Sequence, residues 1–373
     1  MSKEFDVCIV GGGGHIGLPL GLALAKEGKK VIAYDINKKT VDTIAQAKMP
    51  FLEDGAQEVL DKTLNKSFWV TTDKEVIKKS KFIIVVIGTP VDEHLNPQFT
   101  LFKEFFEVLL PYLDNDQHIV LRSTVYPGST QRIKDLLLNN GKKTKISFCP
   151  ERIVQGKAME ELYTLPQIVS SCTPEALTEV SELFLLLTPK VFSVSFLEAE
   201  LAKLFINSWR YMQFAVANQF YQIAEQNGVD FYNIYDAVTR DYSRSKGFAK
   251  AGFSAGPCLF KDTMQLASFG DNAFFLGHSA MLVNEGMPNF IVKQLKQKHD
   301  LKTKTVGVLG MAFKANNDDK RESLSYKLKK ILEMESYRVI CSDVYIQDEK
   351  FFSSQQLIDQ SDIIILGTPH KEY

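Results

Sequence analysis

Nowhere in this sequence do about 18 apolar residues run without interruption, the length needed to cross a bilayer. The start, Met1-Ser2-Lys3-Glu4, passes straight into a short apolar strand with no signal-peptide core. Neither membrane insertion nor export is expected. An excess of one charge is missing too. Lysine and arginine total 44 against 45 acids, a net charge of −1, which supplies no field to hold nucleic acid or an anionic membrane surface. Any anionic ligand must be gripped locally. The five cysteines, Cys8, Cys149, Cys172, Cys258 and Cys341, are odd in number, widely spaced and without a CxxC pair. That argues against a disulfide framework or a zinc site, so no metal is expected and a reduced cytoplasm fits best.

What is present is 373 residues, 45% hydrophobic and 24% charged, enough for two or three domains with their own cores. Residues 5–11 read as a buried strand, followed by a glycine cluster, a helix from Leu18 to about Glu27 and a second strand over Lys30 to Asp35. Apolar runs at 81–87 and 118–122, separated by helix-like segments, continue an alternation that builds a parallel, doubly wound sheet. From Leu197 to Asn227 apolar residues recur at spacings of three and four without proline or glycine, the pattern of one long helix. The last third repeats the opening grammar. Val306 to Gly310, Arg338 to Asp343 and Ile363 to Pro369 echo Val7 to Gly12, Val31 to Asp35 and Ile83 to Pro90, and both sets end in Gly-Thr-Pro. The expected architecture is α/β, with two Rossmann-like doubly wound domains joined by a long central helix and helical segment. The boundaries are 1–190, 191–300 and a shortened 301–373.

Gly12-x-Gly14-x-x-Gly17 lies between a strand and a helix, the context in which this spacing binds a dinucleotide. Gly12 permits the tight turn, Gly14 lets backbone approach a pyrophosphate, and Gly17 lets helix and strand pack. His15 and Ile16 stand at the helix N-terminus, whose unpaired N–H groups attract phosphate. Asp35, about 20 residues on, can accept from the ribose hydroxyls and would repel a 2′-phosphate, so NAD is expected rather than NADP. A glycine-rich turn without a ligand is the bland alternative. Thr89, Thr124 and Glu151 fall at C-terminal strand ends, the edge where such sheets carry their sites. In the second copy Gly310 is followed by Met-Ala-Phe-Lys, too bulky for a pyrophosphate.

A third cluster is Ala255-Gly256-Pro257-Cys258-Leu259-Phe260-Lys261-Asp262. A thiol among small residues can attack an aldehyde, and a carboxylate four residues later can serve water as a base. By residue type alone Cys258 is equally an inert core thiol. Lys203 and Asn207 share a helix face and offer a cation and an amide to an alkoxide, or else form a solvated surface.

Taken in order, Gly12-x-Gly14-x-x-Gly17-Leu18-Pro19, Gly88-Thr89-Pro90, Ser123-Thr124-Val125, Pro150-Glu151-Arg152-Ile153, Glu200-x-x-Lys203-x-x-x-Asn207, Gly256-x-Cys258-x-x-Lys261-Asp262, Asn284-Glu285-x-x-Pro288 and Ala312-Phe313-Lys314 resemble the UDP-glucose/GDP-mannose dehydrogenase family over nearly the whole chain. The resemblance implies a four-electron oxidation of a nucleotide sugar to its uronate, with a UDP-N-acetylhexosamine or UDP-glucose as substrate and NAD as cofactor. It also implies a homodimer through the central helix. Cys258 resembles the nucleophile that passes through a thiohemiacetal and a thioester. Lys203 and Asn207 resemble the oxyanion stabilisers, Asp262 and Thr124 the pair that holds water, and Glu151 the carboxylate of the thioester and hydrolysis steps. Lys314 resembles a substrate-contacting lysine, Arg321 an arginine reaching the cofactor, and Arg244 an arginine lent to the neighbouring subunit. Gln155 departs from the second glutamate common in UDP-glucose dehydrogenases. The chain also ends at Tyr373, before the family's last strand, so that either the sequence is trimmed or the nucleotide pocket is incomplete, and a missing strand would expose sheet edge. Two further readings stand beside this one: a two-electron hydroxyacid dehydrogenase, which has no use for Cys258, and a non-catalytic NAD or nucleotide-sugar binder.

Overall fold

The computed structural model describes residues 3–89, 99–254 and 256–373, so Pro90 and Ala255 of the motifs above lie outside the described residues. The chain divides into two compact units, Met1–Leu204 and Phe205–Tyr373. In the first, eight strands of described residues form one sheet: β1 Phe5–Val10, β2 Val31–Tyr34, β3 Phe68–Thr71, β4 Ser80–Val85, β5 His118–Leu121, β6 Lys145–Phe148, β7 Gln167–Ser171 and β8 Val191–Ser193. Their order is β3-β2-β1-β4-β5-β6-β7-β8, and all neighbours run parallel except β6 and β7. The chain moves outward from β1 to β3 and then returns to the other side of β1 with β4. That reversal opens a crevice at the carboxyl ends of β1 and β4.

β1 reads as a continuous apolar run because both of its faces are covered. Val7 and Ile9 enter one core with Leu18, Leu22 and Phe68, while Cys8 and Val10 enter a second with Val85, Phe106 and Ile119. The register then aligns the strand ends. Val10 stands opposite Tyr34 and Val85, Val85 opposite Leu121, and Leu121 opposite Phe148. The loops after β1, β2, β4, β5 and β6 therefore leave the sheet along one edge.

Two of the glycines after β1 are required by packing. A Cβ on Gly12 would lie 2.6 Å from the Ala33 Cβ and 2.8 Å from the Ile9 carbonyl oxygen, and one on Gly17 only 2.5 Å from the Gly11 oxygen. Backbone atoms cannot yield that space, so here glycine holds the helix Gly17–Lys26 close against β1. Gly14 differs, since the nearest atom to its Cβ would be the Gly11 oxygen at 3.6 Å.

The central helix spans Phe196–Gln226, within a residue of the expected limits. The border between the two compact units falls inside it, after Leu204. In the second unit β9 Thr305–Leu309, β10 Arg338–Ser342 and β11 Ile363–Leu366 form a parallel sheet ordered β10-β9-β11. This repeats the β2-β1-β4 arrangement of the first sheet, as the echoed sequence grammar leads one to expect. Val306, Val308, Leu328, Leu332 and Val292 build its core. Among the described residues no helix is long and apolar enough to cross a membrane.

The glycine geometry separates two substitutions. Gly17→Ala is expected to cost about 1–3 kcal/mol of stability through overpacking, whereas Gly14→Ala leaves the unfolding midpoint nearly unchanged. Thermal unfolding of both variants checks this, and equal midpoints would contradict the close-packing role of Gly17.

Candidate active site

In the unit Met1–Leu204 the candidate residues collect along the carboxyl edge of the sheet. The Asp35 carboxylate, just past β2, accepts the Gly13 N–H at 2.9 Å and the Asn37 N–H at 2.9 Å, which ties the glycine turn to the second strand. No side chain caps the helix that begins at Gly17, so its N-terminal backbone is left for a ligand. Gly12 and Gly17 are buried, while Gly14, His15 and Ile16 are half-buried, with the His15 ring 4.0 Å from that of Phe51. After β4 and β5 the structure brings Thr89 and Thr124 together, the Thr89 hydroxyl donating to the Thr124 carbonyl oxygen.

Glu151, just past β6, has its carboxylate fully engaged. Its Oε1 accepts the N–H groups of Arg152 at 2.7 Å and Ile153 at 2.9 Å, and its Oε2 pairs with the guanidinium of Arg122. Arg122 is 2% exposed, donates to Gln167 Oε1 at 3.0 Å and lies 4.8 Å from the Phe184 ring centre. Burial alone would push the Glu151 carboxyl up. The Arg122 charge and the two backbone donors outweigh it and hold the group below the usual carboxylate range. These neighbours favour the ionised carboxylate.

Sequence reasoning passed over Arg122, although an arginine directly after the buried run of β5 calls for an acidic partner. It named Glu200 within a motif but gave it no role. That carboxylate accepts from the N–H groups of Gly128 at 2.6 Å and Thr130 at 2.8 Å and from the Thr130 hydroxyl at 2.6 Å. It thereby caps the helix Ser129–Asn139 and fixes the start of the central helix beneath the loop that carries Thr124. The signal was the Glu200-x-x-Lys203 spacing. Lys203 follows one turn later and is half-buried.

In the unit Phe205–Tyr373 Cys258 is exposed and occupies the N-cap of the helix Leu259–Phe269. The positive end of a helix favours a thiolate there. Arg321 lies close enough for the two charges to interact, while its guanidinium is gripped by Asp319, Nη2 to Oδ2 at 2.6 Å. Asp262, one turn after Cys258, is fully buried. It accepts the Asn207 amide N–H at 2.5 Å and pairs with the Lys261 ammonium at 3.2 Å. Asn207 and Asp262 thus form one unit, and the second amide hydrogen of Asn207 remains for a ligand. Gly256 has φ +108°, and a Cβ there would lie 2.7 Å from the Phe313 ring, so the loop before the thiol admits no larger residue. Lys314 is half-buried in the next segment. Arg244 is exposed on the turn Ser243–Ser245, its guanidinium 6.0 Å from the Tyr242 ring centre.

Comparison with known proteins decides among the readings. Sequence models of the UDP-glucose/GDP-mannose dehydrogenase family match three successive parts of the chain: the NAD binding domain at residues 5–187, the central domain at 197–285 and the UDP binding domain at 307–373. The chain belongs to the UDP-glucose/GDP-mannose dehydrogenase family. It is an NAD-dependent nucleotide-sugar dehydrogenase. The UDP-N-acetyl-D-mannosamine dehydrogenase of Methanocaldococcus jannaschii is 29% identical over 98% of this chain and 86% of its own. The NDP-N-acetyl-D-galactosaminuronic acid dehydrogenase of Ralstonia nicotianae is 24% identical over 99% and 92%. Among solved structures, the UDP-D-ManNAc dehydrogenase of Pyrococcus horikoshii superposes with a TM-score of 0.89 at 26% identity, covering 98% of this chain and 90% of that one.

The glycine turn of this dehydrogenase fits NAD. A Cβ at Gly14 would meet only the Gly11 oxygen, at 3.6 Å, and Asp35 uses two acceptor positions out of about four on a carboxylate. The second Rossmann-like copy does not fit a dinucleotide. The acid matching Asp35 is Asp343, which accepts from the Met311 N–H at 2.6 Å and the Ala312 N–H at 3.0 Å, where the side chains of Met311 and Ala312 replace the bare backbone of the glycine turn.

The Arg122–Glu151 pair yields a stability prediction. Glu151→Gln leaves a buried guanidinium without its counter-charge and is expected to cost about 3–5 kcal/mol. Because the Glu151 pKa is lowered by folding, its contribution is complete above the ordinary carboxylate range and fades as pH falls through the folded value. Urea unfolding of the wild type and variant at neutral pH measures the loss. Equal stability would show that the pair is not buried in solution.

Proposed function

We propose that this dehydrogenase oxidises the C6 primary alcohol of a UDP-N-acetylhexosamine to the carboxylate in two two-electron steps, with Cys258 as covalent nucleophile. The observation that carries the reading is the exposed thiol at a helix N-terminus, with Arg321 near it and the Asn207–Asp262 pair one turn along. NAD, when bound, accepts one hydride in each oxidation. The Lys203 ammonium and the second Asn207 N–H steady the alkoxide as the alcohol gives up its proton. The Cys258 thiolate adds to the resulting aldehyde carbon as a thiohemiacetal, whose oxidation leaves a thioester. Water, held by Asp262 and Thr124, attacks the thioester, and the bond to sulfur breaks to return the thiolate and release the uronate.

Glu151, paired with the Arg122 guanidinium, is the carboxylate that serves the thioester and hydrolysis steps. Lys314 contacts the nucleotide sugar, Arg321 reaches the cofactor, and Arg244 serves the partner subunit's site. The division of labour follows the segments 1–190 for NAD, 191–300 for pairing and catalysis, and 301–373 for the nucleotide. Support for an N-acetylated substrate comes from the relatives named UDP-N-acetyl-D-mannosamine dehydrogenase, which match nearly the whole chain, and from Gln155.

The protein pairs as a homodimer through the central helix. Phe205, Trp209, Val216, Phe220 and Ile223 are each more than two-fifths exposed and recur at helical spacing, a patch that a lone chain in water leaves unburied. Sedimentation equilibrium checks this, with a monomer at micromolar concentration as the contradicting result.

The reaction is tested by counting. UDP-N-acetylmannosamine should yield two NADH per sugar consumed; one would indicate a simple alcohol dehydrogenase and none a binding protein. Rapid mixing separates the roles of the residues. Asp262→Asn should give an early NADH burst and then stall, because both oxidations precede the step that needs the base. Lys203→Ala should slow every phase by about 10²-fold or more. A burst from the lysine variant alone would reverse the two assignments.

A further inference from the structure

Residues 311–323 carry Lys314 and Arg321 and have no helix or strand of their own. Their position is set by what fastens them. At one end Gly310, at φ +92°, turns so tightly that a Cβ would fall 2.6 Å from the Thr368 nitrogen. The Thr368 hydroxyl donates to the Ala312 carbonyl oxygen at 2.6 Å. The Asp343 carboxylate accepts the Met311, Ala312, Tyr345 and Ile346 N–H groups and also the His370 Nε2–H, at 3.1 Å. The other ring nitrogen of His370, Nδ1, accepts the Asn316 N–H at 2.9 Å. Asn316 completes the clasp, since its Oδ1 accepts the Lys371 N–H at 3.0 Å.

These contacts dictate the state of the ring. A donor at Nδ1 requires that nitrogen to be bare, so the single proton sits on Nε2 and faces Asp343. The His370 side chain has no exposed surface, and its ring lies 4.9 Å from that of Tyr345 and 5.4 Å from that of Tyr373. It can neither swing away nor exchange its two partners. The low pKa of Asp343 agrees with this. Burial would raise it, but the His370 hydrogen bond and the backbone donors bring it to about 2.

We propose that His370 is a positioning residue for substrate binding: a neutral imidazole of fixed tautomer that bridges Asp343 to Asn316 and so preorganises Lys314, two residues away, toward the nucleotide sugar. The proposal rests on the reading of Lys314 as a substrate contact. The clasp acts on binding rather than on the reacting carbon, because ordering a loop before the ligand arrives removes a cost otherwise met on association.

Two substitutions divide the bridge. His370→Gln keeps an N–H near the Nε2 position for Asp343 and has no acceptor for Asn316, whereas His370→Asn keeps an acceptor for Asn316 and does not reach Asp343. His370→Gln should raise KM for UDP-N-acetylmannosamine by about tenfold, the upper end for one lost hydrogen bond, with kcat within about twofold of wild type; His370→Asn should raise it less. On a Lys314→Ala background His370→Gln should add less than about twofold, because both act through the same ammonium. If the His370 variants do not fold, Asn316→Gly, which removes the exposed side-chain acceptor for Lys371 at a φ glycine tolerates, should raise KM in the same direction. Effects that multiply in the double variant, or an unchanged KM in His370→Gln while Lys314→Ala raises it, would overturn the proposal and leave the lysine reading intact. An unchanged KM in Lys314→Ala would remove the lysine reading and the proposal together.

Discussion

Backbone N–H groups in the turns and helix starts that follow the strands must find acceptors. In this chain acidic side chains supply them. Asp35 holds Gly13, Glu53 holds Gly156 and Ala158, Glu151 holds Arg152 and Ile153, Glu200 holds Gly128 and Thr130, and Asp343 holds Met311 and Ala312. A carboxylate accepts several such bonds, and its charge strengthens each one. The loops that carry the functional groups are thereby rigid without being helix or strand. The same device explains how two copies of one fold diverged. Asp35 accepts two backbone N–H groups, while Asp343 is consumed by its own turn and by His370.

Burial sorts the thiols in the same way that it sorts the acids. Burial pushes the Cys8 thiol far up, Cys149 to about 12 and Cys341 to about 11, so none of these gives a thiolate near neutral pH. Cys258 escapes that penalty, being exposed at a helix N-terminus near a guanidinium. Local electrostatics, rather than residue type, is what sets Cys258 apart from these three buried thiols.

Short-range features were open to reading from the sequence. The apolar run of β1, the glycine spacing, the acid after β2 and the period of the central helix are each complete within a few dozen residues, and the structure has them within a residue or two. Features that depend on distant partners were not. Arg122 meets Glu151 29 residues later, and Asn207 meets Asp262 55 later. Spacing placed Lys203 and Asn207 on one helix face but could not show that the Asn207 amide donates to a carboxylate. His370 carried no local signal at all, since its role exists only where β11, the segment after β9 and the turn after β10 come together.

The account depends most on the covalent role of Cys258. It is tested by quenching Asp262→Asn enzyme in acid a few turnover times after mixing with NAD and UDP-N-acetylmannosamine, then weighing its peptides. The expected result is one acyl group per chain, the mass of the nucleotide-bound uronyl, on the peptide that holds Cys258. Unmodified Cys258 in enzyme that has already released two NADH per site would contradict it.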